Sequence, residues 1–385
     1  MAPPMHEPMV TARTLGLNLG LSRAWRLALW IPSLLLLGAA LPARASPGYY
    51  AQAVGGHLEL MRAARPVAEW VQDPQTPEVL RKRLELSQRM RQFASDELLL
   101  PDNASYRRYA DLRRSAAVWN VVAAPPDALV AKTWCYPVIG CASYRGYFNE
   151  TEARAHAQAL QAEGLEAVVQ AVPAYSTLGW MNWAGGDPLL NTFINHSQGD
   201  LARLIFHELA HQKIYVKDDS PFNEAFATAV ERLGGQRWLS LHAVEAVRQA
   251  DAASEARREA FRALVRQTRG ELAAIYERKQ ADPSVGESYI AMKIEAMRRF
   301  RERYAELRES WGGDPAAYRR LDAWVAQANN ASFVAQATYE ELVPGFRRLF
   351  ERVGGHSPQG WQQFYDAVQE LAKLTRDERR QALKE

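Results

Sequence analysis

The stretch "RLIFHELAHQ", residues 203–212, places His207 and His211 four residues apart, with Glu208 beside the first. Four residues are about one turn of an α-helix, so both imidazoles leave the same helix face. Two such nitrogens can bind one zinc ion, and Glu208 can reach a water on that ion without being a ligand. The alternative is a pair of packed histidines. It does not explain Glu208, because a carboxylate in an apolar run is costly unless it is paired or near a cation.

A third zinc ligand is expected on the next helix, within "SPFNEAFATAVE". Glu224 lies on the first turn of that helix, and the short "KDDS" turn lets the helix return antiparallel to the first. We therefore predict that His207, His211 and Glu224 bind Zn²⁺ and that Glu208 is the general base of a water attack on a carbonyl. Glu231 lies two turns further along and is expected to orient a ligand or to replace Glu224.

The pair "HELAH" and "NEAFA" resembles the gluzincin metallopeptidases, which include thermolysin-like and aminopeptidase-N-like enzymes. A narrower resemblance, to a bacterial family of predicted aminopeptidases, covers most of residues 46–385 in order. The segments that carry it, besides the zinc helices, are "GYYAQAVGGHLELM", "WCYPVIGCASYRGYF", "AYSTLGW", "DPLLNT", "ESWGG", "NNA" and "TYEELVPGFRRLF". The resemblance implies a zincin-like core, zinc as the cofactor, Glu224 as its third ligand and a peptide as the substrate.

Three functions remain open from the sequence. The first is an aminopeptidase, which is implied by the family alone, and no acidic group that would hold the free amine of a substrate is evident. The second is a zinc endopeptidase. The third is a zinc-bearing protein of the cell envelope that binds peptides without cutting them. A purely structural zinc is disfavoured, because such sites usually have four protein ligands and often use cysteine.

The tetrahedral intermediate of such a reaction needs a hydrogen-bond donor for its oxyanion besides zinc. We rank Tyr339 first, because it lies in a polar stretch with Asn329 and Asn330 upstream. The other candidates are Tyr144, Arg145, Tyr215 and His242. Residues 174–180, "AYSTLGW", are expected to form either an edge strand that pairs with an extended peptide or an ordinary strand and turn.

Residues 1–45 have the pattern of a secretion signal. A basic segment ends at Arg26, the apolar run "LALWIPSLLLLGAAL" follows, and "ARA" ends at Ala45. We predict cleavage after Ala45 and export of residues 46–385 to the periplasm or cell envelope, with an uncleaved membrane anchor as the alternative. In an oxidising compartment, Cys135 and Cys141 are expected to form a disulfide.

Charge disfavours nucleic acid as a partner. Residues 1–45 contain four arginines and one glutamate and so account for the whole formal charge of +3. The remainder has no net charge and no basic field that would attract a polyanion.

The expected fold class is α+β and mainly helical, with a small sheet and a zincin-like core around the active-site helix. We expect a helical part over about 46–130, the core over about 131–238 and a second helical part over about 239–385. Residues 106–125 predict a helix that ends as a strand. The second zinc helix is expected to be capped by Ser220 and to stop at Gly234–Gly235, and residues 239–311 predict a long helical hairpin broken near "ADPSVG".

Overall fold

The structure, a computed structural model, describes residues 47–384 apart from 137–139, 283, 285 and 287. The side chains of residues 47, 338, 339 and 358 are also outside the described part. The predicted signal peptide therefore lies outside the described residues. Within these ranges, no helix combines the length and the apolar character needed to cross a membrane.

The described chain is mainly helical, with small sheets inserted in its first half. The α-helices, in chain order, are α1 (Pro47–Ala63), α2 (Val67–Gln72), α3 (Glu78–Asp96), α4 (Glu150–Ala162), α5 (Gln198–Lys213), α6 (Ser220–His242), α7 (Glu245–Ala281), α8 (Ser288–Trp311), α9 (Arg319–Gln327), α10 (Asn330–Glu340), α11 (Val343–Arg352), α12 (Pro358–Lys373) and α13 (Arg376–Ala382). The expected hairpin over residues 239–311 is α7 and α8, and the expected mainly helical α+β class is confirmed.

The strands form short sheets. They are β1 (Arg65–Pro66), β2 (Arg108–Ala110), β3 (Val118–Ala124), β4 (Trp134–Tyr136), β5 (Gly140–Ala142), β6 (Arg145–Tyr147), β7 (Glu166–Val172) and β8 (Leu189–Leu190). Strand β3 is the centre of one sheet and pairs antiparallel with both β6 and β7. A second sheet has the order β1-β2-β8, and β4 and β5 form a hairpin.

Strand β3 is apolar along almost its whole length because helices cover both of its faces. Trp119 and Val121 pack in the same cluster as residues of α4. Val122 and Ala124, on the opposite face, pack against Ala331 and its neighbours on α10. A strand alternates its side chains between two faces, so a central strand covered on both sides is apolar throughout.

The expected helix over residues 106–125 is therefore wrong except at its end. The segment contains β2, a turn and β3, and its last part is a strand as predicted. Its apolar residues recur at three- to four-residue steps, but in β3 the burial of these residues follows the helices that cover the two faces of the strand.

The two predicted zinc helices, α5 and α6, lie at the centre of the largest core cluster. They run antiparallel, since Arg203 approaches Gly235, His207 contacts Glu231 and His211 contacts Glu224. Residues 222–230 of α6 are buried without interruption, so other elements cover this helix on all sides.

The expected stop of α6 at Gly234–Gly235 is wrong, because the helix continues to His242. A Cβ on Gly234 would lie 2.6 Å from Leu98 Cδ1, and one on Gly235 would lie 2.7 Å from Arg203 Cγ. The two glycines thus allow α5 and Leu98 to approach α6 closely. They do not end α6. The cap is also one residue earlier than expected, since the side chain of Asp219 accepts a hydrogen bond from Phe222 N.

A disulfide between Cys135 and Cys141 closes the β4–β5 hairpin. The Cys141 N–H donates to Asp218 Oδ1 over 2.6 Å, and Asp218 lies in the turn that joins α5 to α6. A Cβ on Gly140 would lie 2.2 Å from the same oxygen. The hairpin is therefore packed directly on the turn between the two zinc helices.

Candidate metal centre

The turn between α5 and α6 is fixed by side chains on both of its sides. Asn223 accepts a hydrogen bond from Val216 N over 2.8 Å and donates one to Val216 O over 2.7 Å. Asp219 forms a buried ion pair with Arg379 of α13, at 2.7 Å. Because Glu224 follows Asn223 directly, these contacts also fix where its side chain leaves α6.

The structure brings His207, His211 and Glu224 together. The two Nε2 atoms are 3.2 Å apart, and Glu224 Oε2 lies 3.3 Å from His207 Nε2 and 3.5 Å from His211 Nε2. Ligands at zinc bond lengths of about 2.0–2.1 Å in a tetrahedron are separated by about 3.3 Å. The three donor atoms therefore have the spacing of three corners of a zinc tetrahedron, and their side chains are 6–13% exposed.

Glu231 orients the first histidine. Its Oε2 lies 2.8 Å from His207 Nδ1. An Nδ1–H that donates to a carboxylate leaves the Nε2 lone pair free to bind a metal, and such a partner makes the imidazole a stronger ligand. Of the two roles expected for Glu231, the contact corresponds to the orienting one, since Glu224 faces both Nε2 atoms.

The electrostatics of the cluster favour a positive charge between its members. Burial disfavours a charged His207, but its hydrogen bonds to Glu224 and Glu231 outweigh burial and raise its pKa well above the usual value. Burial likewise disfavours a charged Glu224, but His211 and His207 lower its pKa to about 2. A divalent cation bound at Nε2 would displace the proton there and supply the same positive charge, so the donor set and its spacing fit zinc.

Glu208 is half-buried on the same helix. No hydrogen bond or ion pair to its carboxylate occurs among the described residues. A carboxylate without a protein partner beside a metal cluster is available to exchange a proton with water or substrate.

In two of the expected oxyanion donors, the pKa of the hydroxyl is raised by the charge of a carboxylate in the cluster. Burial raises the pKa of Tyr144, and Glu224 and Glu208 raise it further. Burial also raises the pKa of Tyr215, again with a contribution from Glu224. Of these two tyrosines, Tyr144 is the one whose pKa is affected by both Glu224, the expected ligand, and Glu208, the expected base. Tyr339 lies on α10, and its side chain is outside the described residues.

The other two expected donors are engaged elsewhere. Arg145 lies over the ring of Tyr49, with 4.0 Å between its Cζ and the ring centroid. His242 stacks on Trp238 at 4.1 Å, near the opposite end of α6 from Glu224. We therefore do not assign either residue to the site.

A buried polar network beside Glu208 was not found from the sequence. Gln212 Nε2 donates to Asp187 Oδ2 over 3.2 Å and to Ser105 Oγ over 3.1 Å. Burial raises the pKa of Asp187 to about 6, and Glu208 contributes to the rise. The sequence offered two signals of this network. Gln212 follows His211 directly, and Asp187 follows two glycines. Neither signal indicates that the two side chains are in contact.

Tyr106 belongs to the same region and was also missed. It is 1% exposed, its backbone φ is +64°, and its hydroxyl has no hydrogen-bond partner among the described residues. Burial raises its pKa well above the usual value, and Glu208 and Asp187 raise it further. Such a conformation is uncommon for a bulky residue and follows from the surrounding packing, not from the local sequence.

These features describe a mainly helical protein in which the donor atoms of two histidines and one carboxylate lie close enough together to hold a single metal ion. The family model described as "Putative aminopeptidase" matches residues 48–383, and the chain belongs to this family. This supports the expected family and points to peptide hydrolysis. Searches of curated proteins and of solved structures found no match.

Proposed function

We propose that this chain is a zinc-dependent peptidase, with His207, His211 and Glu224 as the zinc ligands and Glu208 as the general base. The observation that carries the proposal is the 3.2–3.5 Å spacing of the three donor atoms. Membership of an aminopeptidase family supports a peptide as the substrate. When bound, zinc would act as a Lewis acid that polarises a carbonyl and acidifies a water.

The chain's own groups supply proton transfer and orientation. The Glu208 carboxylate accepts a proton from the attacking water and returns it to the nitrogen of the leaving amine. Glu231 holds the imidazole of His207 through Nδ1 and so keeps its Nε2 directed at the cluster. The oxyanion that develops on the carbonyl accepts a hydrogen bond from a tyrosine hydroxyl. Tyr339 stays the first candidate for this donor, and Tyr144, whose pKa is raised by Glu224 and Glu208, is the alternative.

The test compares the zinc-loaded wild type with its Glu208→Gln variant. We expect equal zinc content in both proteins and loss of peptide hydrolysis in the variant, because Gln cannot accept the proton. Full activity in the variant would exclude Glu208 as the base. A wild type that binds zinc but cleaves no member of a broad peptide library would instead be a zinc-bearing, peptide-binding protein.

Aminopeptidase activity is the form of the proposal that the family supports. It predicts that a peptide with a free amino end is cleaved and that the same peptide is not cleaved after acetylation. Equal cleavage of both peptides would identify an endopeptidase.

We also propose that the protein acts in the periplasm or cell envelope. The signal pattern in residues 1–45 and the Cys135–Cys141 disulfide support export. Sequencing the amino end of the protein from cells should give a chain that begins at Ser46, and a chain that begins at Met1 would contradict cleavage.

A further inference from the structure

Two tryptophans are exposed on the loop of residues 174–186, which runs from near the end of β7 to just before β8. Trp180 is 65% exposed and Trp183 is 83% exposed. Residues 174–180 form neither of the strands considered for them from the sequence, and residues 182–184 form a single 3-10 turn. Single exposed apolar residues are ordinary, but two indoles within four residues expose apolar surface that a ligand can bury.

The loop is attached to the side of α5 that carries the expected base. Gln212 lies one turn after Glu208, and its Oε1 lies 3.4 Å from Asn182 Nδ2, in the same 3-10 turn as Trp183. Ser105 Oγ donates to Asn182 Oδ1 over 2.9 Å, and Thr177 N donates to Asp187 Oδ1 over 3.0 Å. Both ends of the loop are therefore fixed relative to the helix that bears Glu208.

The residue after the loop contacts the same turn of α5. Asp187, which follows the loop directly, accepts a hydrogen bond from Gln212 Nε2 over 3.2 Å, one helical turn from Glu208. The loop thus borders α5 on the side of Glu208, where a substrate carbonyl must lie for the base to act.

The composition of the loop indicates what kind of ligand it suits. Residues 174–186 contain no Asp, Glu, Lys or Arg. The loop's own residues give a charged ligand side chain no ionic partner, and Arg108, which lies against Gly185, donates to Met61 O and Ala64 O instead. An apolar or aromatic side chain gains contact with an indole face. A loop that binds anionic lipid usually has lysine or arginine beside its aromatic residues, and this loop has neither.

We propose that Trp180 and Trp183 bind a large apolar side chain of the peptide substrate next to the bond that is cut. This inference rests on the proposed function, since it names the substrate class of that same site. It makes the loop a determinant of specificity, not a part of the proton-transfer machinery.

The test uses the zinc-loaded full chain and a peptide series in which Phe or Ser occupies each position around the cleaved bond. The Trp180→Ala/Trp183→Ala double variant should lose about tenfold in kcat/KM for the best Phe peptide and change less than about twofold for its Ser counterpart. Zinc content and Tm should remain those of the wild type. The matched control is Ile294→Ala on α8, since Ile294 is also 65% exposed, and it should leave the Phe-to-Ser ratio unchanged.

The possible results separate this inference from the proposed function. If the wild type cleaves peptides and the double variant keeps the wild-type Phe-to-Ser ratio, the inference fails and the proposed function stands. If the variant keeps that ratio but loses binding to phosphatidylglycerol vesicles that the wild type binds, the tryptophans contact lipid. A wild type that neither cleaves nor binds any peptide of the series overturns both.

Discussion

Replacing Glu231 by alanine should weaken zinc binding without removing any ligand. The variant loses the 2.8 Å contact between Glu231 Oε2 and His207 Nδ1, two side chains that are only 23% and 13% exposed. Loss of such a partner typically lowers metal affinity by about 10–100-fold, which corresponds to about 1.4–2.7 kcal/mol. Glu231→Gln retains an acceptor oxygen and loses only the charge, so we expect a smaller decrease of about threefold to tenfold.

The measurement is a zinc titration against a competing chelator, with Glu351→Gln as the control. Glu351 is an exposed acid on α11, so its replacement changes the net charge equally without touching the cluster. The order of affinity should be wild type and Glu351→Gln, then Glu231→Gln, then Glu231→Ala. Wild-type affinity in the alanine variant, or an equal decrease in the control, would refute the assigned role of Glu231.

Three further changes test other parts of the structure. Tyr144→Phe should lower kcat by about 100-fold with unchanged KM and zinc content if Tyr144 is the oxyanion donor, and an unaltered kcat in steady-state assays would remove Tyr144 from the reaction and leave Tyr339. Arg379→Met should lower the free energy of unfolding by about 3 kcal/mol, because it removes the 2.7 Å ion pair of the buried Asp219 and leaves only the exposed Arg376, 3.7 Å away. Urea unfolding measures this, and a change below about 1 kcal/mol would contradict a stabilising role of the buried pair. Gly234→Ala should destabilise by about 1–3 kcal/mol through overlap with Leu98, whereas a gain of about 1 kcal/mol, as at an exposed helical glycine, would contradict the close packing.

The convergence of His207, His211 and Glu224 could be predicted from sequence because its geometry is local. His207 and His211 are one helical turn apart, and a short turn with Pro221 at the start of the next helix returns the chain beside them. Periodicity also identified the long hairpin of α7 and α8, whose apolar residues follow a regular helical spacing.

The features that could not be predicted depend on segments far apart in the chain. The glycine at position 234 is explained by the close approach of Leu98 to α6. The apolar residues of β3 are explained by α4 and α10, which cover the two faces of this strand. The contact between Gln212 and Asp187 likewise joins α5 to a separate loop. Neither spacing nor composition encodes such contacts, so the sequence predicted that the three donor residues converge but not which residues surround them.

Metal content tests the central claim most directly. After dialysis against a weak chelator, the wild-type chain should retain about one zinc per molecule by elemental analysis, because two histidines and a carboxylate suffice for a catalytic site. A folded His207→Ala/His211→Ala variant should retain almost none. A wild type without stoichiometric transition metal, or a variant that holds as much zinc as the wild type, would contradict the account.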